Sequence, residues 1–348
     1  MRTLLIHASF GEGHKRAANC LKSFLEADCY DLLDFCHPLI AKLYSFGYIF
    51  ATGRFCFLWK FIFFLSSNSK VINFMSWAHA GIFANFFKFI SRHRPDVVIC
   101  THFFPLPLLA SLKRRFPFLI GCIVTDLGVH PLWVNKSVDS YFVAHTETRE
   151  SLVKLGIKED KIICGFVPLR EGFIKEQPEQ NIRKKLCIGE KPCIVFVSSL
   201  RGSFPFLLGV ICDLKEDFHI IVIYGRNKEL LKALKKMNYP SLSYYQSYEN
   251  IWEIFSISSV IVTKPGGLTV FEGLYKKKPF VFTHYIPGQE ETNMDFLIAH
   301  GLARYAHDRT ALVESIRSLS HISSTLSKNY PVEVKDIRIA LGEFINRL

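Results

Sequence analysis

Twice in this chain a short apolar run stops at a glycine turn and resumes with helical spacing. The first instance reads Leu4-Leu5-Ile6, then Gly11-Glu12-Gly13-His14, then Ala17, Ala18, Leu21, Phe24 and Leu25. The second reads Val260-Ile-Val262, a break at Pro265-Gly266-Gly267, and apolar residues at helical spacing over 268–275. Strand, glycine loop and amphipathic helix in that order open a Rossmann-like α/β half, so 348 residues holding two such openings predict two α/β domains.

The glycine turns are also where the chemistry is expected. Gly266 and Gly267 let the backbone approach a ligand, and a helix starting there offers unpaired N–H groups and the positive end of its dipole to an anion. Glu272, one turn in, does not serve a phosphate; a carboxylate at that place suits ribose hydroxyls, and the plainer reading is a helix cap with a solvated Glu. In the first loop His14 can act as a general base, donate to a phosphate, or cap the helix. The loop is Gly-x-Gly-His, not a full dinucleotide fingerprint, and no acidic residue follows after a second clear strand, which argues against a dehydrogenase.

Further buried strands are expected at 96–100, 118–124, 140–144 and 161–168, then at 193–197, 219–224, 259–262 and 280–282. In open α/β sheets ligands bind at the carboxyl ends of strands. Thr101-His102 lie at one such end and Thr125-Asp126 at another, and the loop Thr125-Asp-Leu-Gly-Val-His130-Pro-Leu-Trp133 gathers an acid, an imidazole and an indole. Asp126 reads as a functional acid or a loop cap, and Trp133 as a ligand contact or a packing residue. Arg226 ends the strand at 219–224 and either reaches a phosphate or faces water. Gln289, Glu290 and Asn293, after Pro287-Gly288, are directional groups able to read sugar hydroxyls, or polar residues opening a helix at Met294. The charged stretch 170–192, with Pro178 and Gly189-Glu-Lys-Pro192, is the expected boundary: domain one at 1–170, a linker at 171–192, domain two at 193–330, and a final helix at 331–348 that packs back on domain one.

A net charge of +12 favours anionic partners. Fifteen aromatic residues between Phe46 and Phe89 alternate with Lys42, Arg54, Lys60, Lys70, Lys88, Arg92 and Arg94, a composition suited to a membrane surface. Spanning is disfavoured because Arg54 and Lys60 would each cost roughly 2.5–3.5 kcal/mol near a bilayer centre. Ordinary core helices of a Phe-rich chain are the rival reading. Ten cysteines without a Cys-x-x-Cys pair read as reduced, mostly packed thiols of a cytosolic protein, and the first residues read as a strand, not a signal peptide.

Taken together, the Gly-x-Gly-His loop, Val124-Thr-Asp-Leu-Gly-Val-His-Pro-Leu-Trp133, Tyr224-Gly-Arg-Asn-Lys228, Lys264-Pro-Gly-Gly-Leu-Thr-Val-Phe-Glu272 and Pro287-Gly-Gln-Glu-Glu-Thr-Asn293 make the chain resemble the monogalactosyldiacylglycerol synthases and processive diacylglycerol glucosyltransferases. These are MurG-like GT-B glycosyltransferases. The resemblance, covering 6–306, implies two Rossmann-like domains facing a central cleft and transfer of a hexose from UDP-galactose or UDP-glucose to diacylglycerol. It implies that Gly266, Gly267 and Thr269 cradle the diphosphate, Glu272 holds the ribose, Gln289 and Glu290 contact the hexose, and Asn293 supports that loop. Arg226, Ser247 and Tyr248 complete the donor side, the last two near the base. Gly11, Gly13, His14, Asp126, His130 and Trp133 face the acceptor, with His14 the first candidate base and Asp126 the second. The implied reaction is inverting, with no metal and no cofactor, on the cytoplasmic face of an anionic membrane, to which the enzyme attaches peripherally; nucleic acid is not an expected partner. Two departures stand out: Val197-Ser-Ser-Leu-Arg-Gly-Ser203 replaces a glycine-rich loop, and Ser9 occupies a position that is acidic in the plant-type relatives.

Two other readings remain. One is transfer to a polyprenyl-diphosphate-linked acceptor, against which the loop from Thr125 to Trp133 argues. The other is a basic peripheral membrane or nucleic-acid-binding protein that has lost catalysis.

Overall fold

The computed structural model describes residues 1–9, 11–53, 81–197, 206–328 and 330–346. The chain forms two compact units: Met1–Arg170 with Ile286–Asn293 and Val334–Leu348, and Glu171–Tyr285 with Met294–Glu333.

The first unit is built on a fully parallel sheet of β1 (Thr3–His7), β2 (Asp28–Asp31), β3 (Val97–Cys100), β4 (Leu119–Ile123), β5 (Ser140–Val143) and β6 (Ile162–Cys164), in the order β2-β1-β3-β4-β5-β6. Successive side chains of a strand point to opposite faces. Here Leu4, Ile6, Val98 and Cys100 enter one cluster and Leu5, Val97 and Ile99 another. Both faces are therefore buried, which is why these strands are uniformly apolar. Phe86, Ile90 and Leu109 cover the first face, and Ile337, Ala340, Leu341 and Phe344 of the C-terminal helix (Ile337–Ile345) cover the second. At the end of the unit β7 (Phe166–Val167) pairs with Lys335–Asp336, which leads the chain into that helix.

The second unit repeats the plan with β8 (Cys193–Val197), β9 (His219–Ile223), β10 (Leu242–Tyr245), β11 (Ser258–Thr263), β12 (Phe280–Phe282) and β13 (Ala303–Tyr305), in the order β10-β9-β8-β11-β12-β13 and again all parallel. In each sheet the chain moves outward from its first strand and then returns to that strand's other side. The switch lies between β1 and β3 in one unit and between β8 and β11 in the other. In open parallel sheets ligands bind at the carboxyl ends of the strands on either side of such a switch.

Three expectations are corrected. Residues 171–192 are not a linker: they hold the helices Glu171–Ile174 and Glu179–Lys185, and Phe173, Ile182 and Ile188 are buried in the second unit. Their high charge reflects an exposed helix face, which composition does not separate from a loop. The second domain is also not the continuous 193–330, because Ile286–Asn293 belongs to the first unit. The helix expected from Met294 begins at Gln289 and runs to Ala299, its first turn made of the polar residues that had been read as a loop.

Candidate functional site

At the first switch point, β1 and β3 run in register with Ile6 opposite Cys100, which puts the loops after His7 and after Cys100 side by side. The helix Glu12–Lys22 starts from Gly11 with no side-chain cap, and its apolar residues turn His14 inward. His14 does not cap its helix. Its Nδ1 lies 2.8 Å from the Thr101 carbonyl oxygen and 3.1 Å from the Thr125 hydroxyl, while the Thr101 hydroxyl donates back to the His14 carbonyl at 2.9 Å. A carbonyl only accepts, so the proton is assigned to Nδ1 and Nε2 keeps its lone pair. Burial pushes the imidazole pKa down to about 4, with His7 adding to the shift and the Thr101 bond opposing it. At neutral pH His14 is therefore an uncharged proton acceptor. Gly11 and Gly13 are exposed at this opening, and a β-carbon on Gly13 would meet nothing within 4 Å.

Asp126 is buried at 7% exposure, and its Oδ1 accepts from Asn293 Nδ2 at 3.3 Å. The other end of that amide accepts the Leu127 N–H at 2.7 Å, and the Thr148 hydroxyl donates to the Leu127 carbonyl at 2.6 Å. Asn293, expected to support the sugar-reading loop, is completely buried and holds the Asp126 loop. Gly128 allows this close approach, since a β-carbon there would lie 2.5 Å from Thr292 Cβ. His130 Nδ1 accepts the Leu132 N–H and caps the turn Pro131–Trp133. Trp133 is 2% exposed, with its ring 6.5 Å from that of His14 and 5.5 Å from that of Phe103. It packs behind the imidazole.

His102 had no role in the sequence reading beyond its place at a strand end. It is 3% exposed, and its ring lies 4.4 Å from that of His14 at 81°. A histidine at the carboxyl end of a buried strand was the available signal, but its pairing with His14 depends on the β1–β3 register.

At the second switch point β11 ends at Thr263, and Gly266 caps the helix Gly267–Tyr275 with extended backbone and supplies no side-chain hydrogen bond to the helix's first N–H groups. Gly266, Gly267 and Thr269 are partly exposed around this opening. Glu272 is buried at 1% exposure, which excludes the solvated cap. Close packing of the helix places it there: a β-carbon on Gly273 would lie 2.2 Å from Phe280 Cζ. Arg226 is exposed in the turn after β9, and Ser247 is exposed after β10. Tyr248 donates its hydroxyl to Glu253 Oε2 at 2.7 Å, and Lys185 holds the same carboxylate at 2.7 Å. Burial, with that carboxylate beside it, pushes the phenol well above its ordinary range, so its polar end serves the fold.

Glu290 is 5% exposed and accepts the Ile286 N–H at 2.9 Å, and Glu291 accepts the Gly288 N–H at 3.0 Å. Both carboxylates brace the turn that opens the helix. The side chain of Gln289 and residues 198–205 lie outside the described residues.

Residues 14–167 match the family model for monogalactosyldiacylglycerol (MGDG) synthase. The matched stretch spans the histidine site and all but the first strand of the sheet that forms it. Along nearly its whole length the chain is 27% identical over 343 residues to a processive diacylglycerol β-glucosyltransferase of Bacillus cereus, covering 91% of this chain and 85% of that protein. It is 26% identical to the enzyme of the same name from Bacillus subtilis, covering 97% and 92%. Among solved structures, MurG of Acinetobacter baumannii superposes over 100% of both chains with a TM-score of 0.61 at 12% identity. Anabaena HepE in complex with UDP gives 0.56 at 12% identity, again over 100% of both chains. These likenesses show the GT-B fold, two parallel-sheet α/β domains, as the sequence motifs had implied.

Proposed function

We propose that this protein moves a hexose from a UDP-sugar to the hydroxyl of diacylglycerol at a membrane surface. The observation that carries the reading is the similarity along nearly the whole chain to processive diacylglycerol β-glucosyltransferases. UDP-glucose and UDP-galactose are the donors to test.

The second unit holds the nucleotide part of the donor. Its diphosphate sits against the N–H groups of Gly267, Leu268 and Thr269, where the helix dipole meets the charge, with Lys264 next in sequence to the turn and Arg226 after β9, two strands away. Glu272 accepts from the ribose hydroxyls. Gln289 and Glu290 read the hexose. As the acceptor oxygen bonds to the anomeric carbon, its proton passes to His14 Nε2. The bond from that carbon to the UDP oxygen breaks, and the electron pair leaves with UDP. Asp126, steadied by Asn293, shapes the acceptor side. Because fixed N–H groups and cations meet the leaving charge, the reaction takes no metal or cofactor, and EDTA is expected to leave the rate unchanged.

Peripheral attachment to a membrane, which we place on the cytoplasmic face, draws its support as attachment from the helix Pro38–Gly53. Its Ile40, Ala41 and Tyr44 pack on the core while Leu39, Leu43 and Phe46 are 69%, 71% and 67% exposed, with the exposed Lys42 among them. That is a face for the acyl boundary with a cation at head-group level. No helix among the described residues is long and apolar enough to cross a membrane, and residues 54–80, which carry much of the aromatic and basic run, lie outside them. Among the described cysteines, Cys36, Cys100, Cys122 and Cys193 are buried, while Cys187 and Cys212 are exposed.

The test is transfer from each donor to diacylglycerol in mixed micelles, together with UDP calorimetry. Wild-type turnover and a Glu272→Gln variant that binds UDP about 10–100-fold more weakly, with its unfolding midpoint held, are expected from the loss of a charged hydrogen-bond acceptor. No turnover with either donor and no heat with UDP would sink the reading.

A further inference from the structure

Two imidazoles meet at the switch point of the first sheet, and their hydrogen bonds assign them opposite tautomers. His14 Nδ1 faces the Thr101 carbonyl at 2.8 Å and so carries its proton. His102 Nδ1 accepts the Phe104 N–H at 3.0 Å, which leaves the His102 proton on Nε2. The rings stand edge to face with centroids 4.4 Å apart, and Trp133 closes on both, 6.5 Å from His14 and 6.2 Å from His102. Phe103 lies against the His102 ring at 4.2 Å. If the His14 ring turned over, a C–H would replace the bond to Thr101. The packing of His102 and Trp133 opposes that turn, as core side chains are held to one rotamer by close neighbours.

We propose that His102 is a positioning residue for the transfer reaction: pinned by the Phe104 N–H, its ring holds His14 in the one orientation that presents an unprotonated Nε2 to the acceptor hydroxyl. The inference rests on His14 being the base. His102 itself needs to touch neither substrate nor the reacting atoms.

The other titratable groups around His14 enter the same account. His7 at the end of β1 lowers its proton affinity, and His7 is itself under the influence of Asp31, Lys15, Asp34 and Glu12. Asp126 follows Thr125 on the loop after β4. Burial is the largest cause of the low pKa, about 4, so removing the His102 ring and admitting water raises it.

The experiment compares His102→Ala and His102→Asn with wild type in three measurements: kcat against pH, UDP affinity, and the tautomers of ¹⁵N-labelled histidines by NMR. Asparagine keeps an acceptor for the Phe104 N–H but lacks the ring, so it separates a turn cap from a positioning role. Wild type is expected to show a neutral Nδ1–H tautomer for His14 and an Nε2–H tautomer for His102. Both variants are expected to lose kcat on the order of 100-fold, as for a base displaced by about 1 Å. Their acid limb should move up from near pH 4 toward 6.5, with UDP affinity within about twofold of wild type, because the UDP-holding glycine turn belongs to the other unit. Wild-type kcat and pH profile in His102→Asn, or the reverse tautomers in the NMR spectrum, overturns the proposal. If no donor turns over at all, the tautomers still decide it, so its failure is distinct from failure of the transferase reading; if the alanine variant does not fold, the asparagine variant and the spectrum carry the test.

Discussion

Buried histidine is the feature of this protein with the clearest thermodynamic signature. The folded-state pKa of His14 is lowered from 6.5 to about 4, so between those values the unfolded chain binds more protons than the folded one. The corresponding stability is fully present above pH 6.5 and is lost as pH falls toward 4. For His14 that amounts to about 3 kcal/mol, and His102, whose pKa burial also lowers, adds in the same direction. Urea unfolding at pH 7 and pH 4 is expected to show this loss, reduced by about 3 kcal/mol in His14→Gln; an equal loss in wild type and variant would remove His14 as its source. At this scale the sequence showed which residues stand at strand ends, His14, Thr101, His102, Thr125 and Asp126 among them. It did not show that Nδ1 of His14 faces a carbonyl, because that bond joins residues 87 positions apart.

The elements were legible wherever burial on both faces makes a strand uniformly apolar, as in β1, β3, β4, β8 and β11. The outermost strands β2, β10 and β13 escaped notice: Asp28-Cys-Tyr-Asp31 and Leu242-Ser-Tyr-Tyr245 are only partly buried, and Ala303-Arg-Tyr305 is mostly exposed, so none carries a continuous apolar signal. Helix placement depends on glycines that sequence periodicity treats as weak points. Gly273 lets the Gly267–Tyr275 helix lie against Phe280, and a β-carbon there would also come within 3.2 Å of Ile261 Cδ1. Gly273→Ala is expected to cost about 1–3 kcal/mol of stability by overpacking and to weaken UDP binding as the helix shifts away from β11 and β12. Thermal unfolding and calorimetry on the same variant check both effects, and an unchanged midpoint would show that the helix can retreat at no cost.

For the whole molecule, charge and exposed apolar surface bear on the proposed attachment to lipid. The net charge of +12 and the Leu39, Leu43 and Phe46 face predict binding to anionic vesicles that weakens as salt rises. Replacing all three by Ser is expected to reduce cosedimentation with such vesicles at least about tenfold, since each side chain gives up roughly 1.5–3 kcal/mol of apolar burial. Transfer to a short-chain, water-soluble diacylglycerol should be spared, and undiminished vesicle binding by the triple variant would discard this face as the contact.

By itself the sequence determined two Rossmann-like halves, their glycine turns and the class of chemistry, because strand burial and loop glycines leave local patterns in the order of residues. Only the tertiary structure decided that Ile286–Asn293 joins the first unit, that Asn293 braces Asp126, that Trp133 backs His14, and that His102 stands against His14. Each of these depends on strand order and register, which bring distant segments together and which no local run of residues encodes.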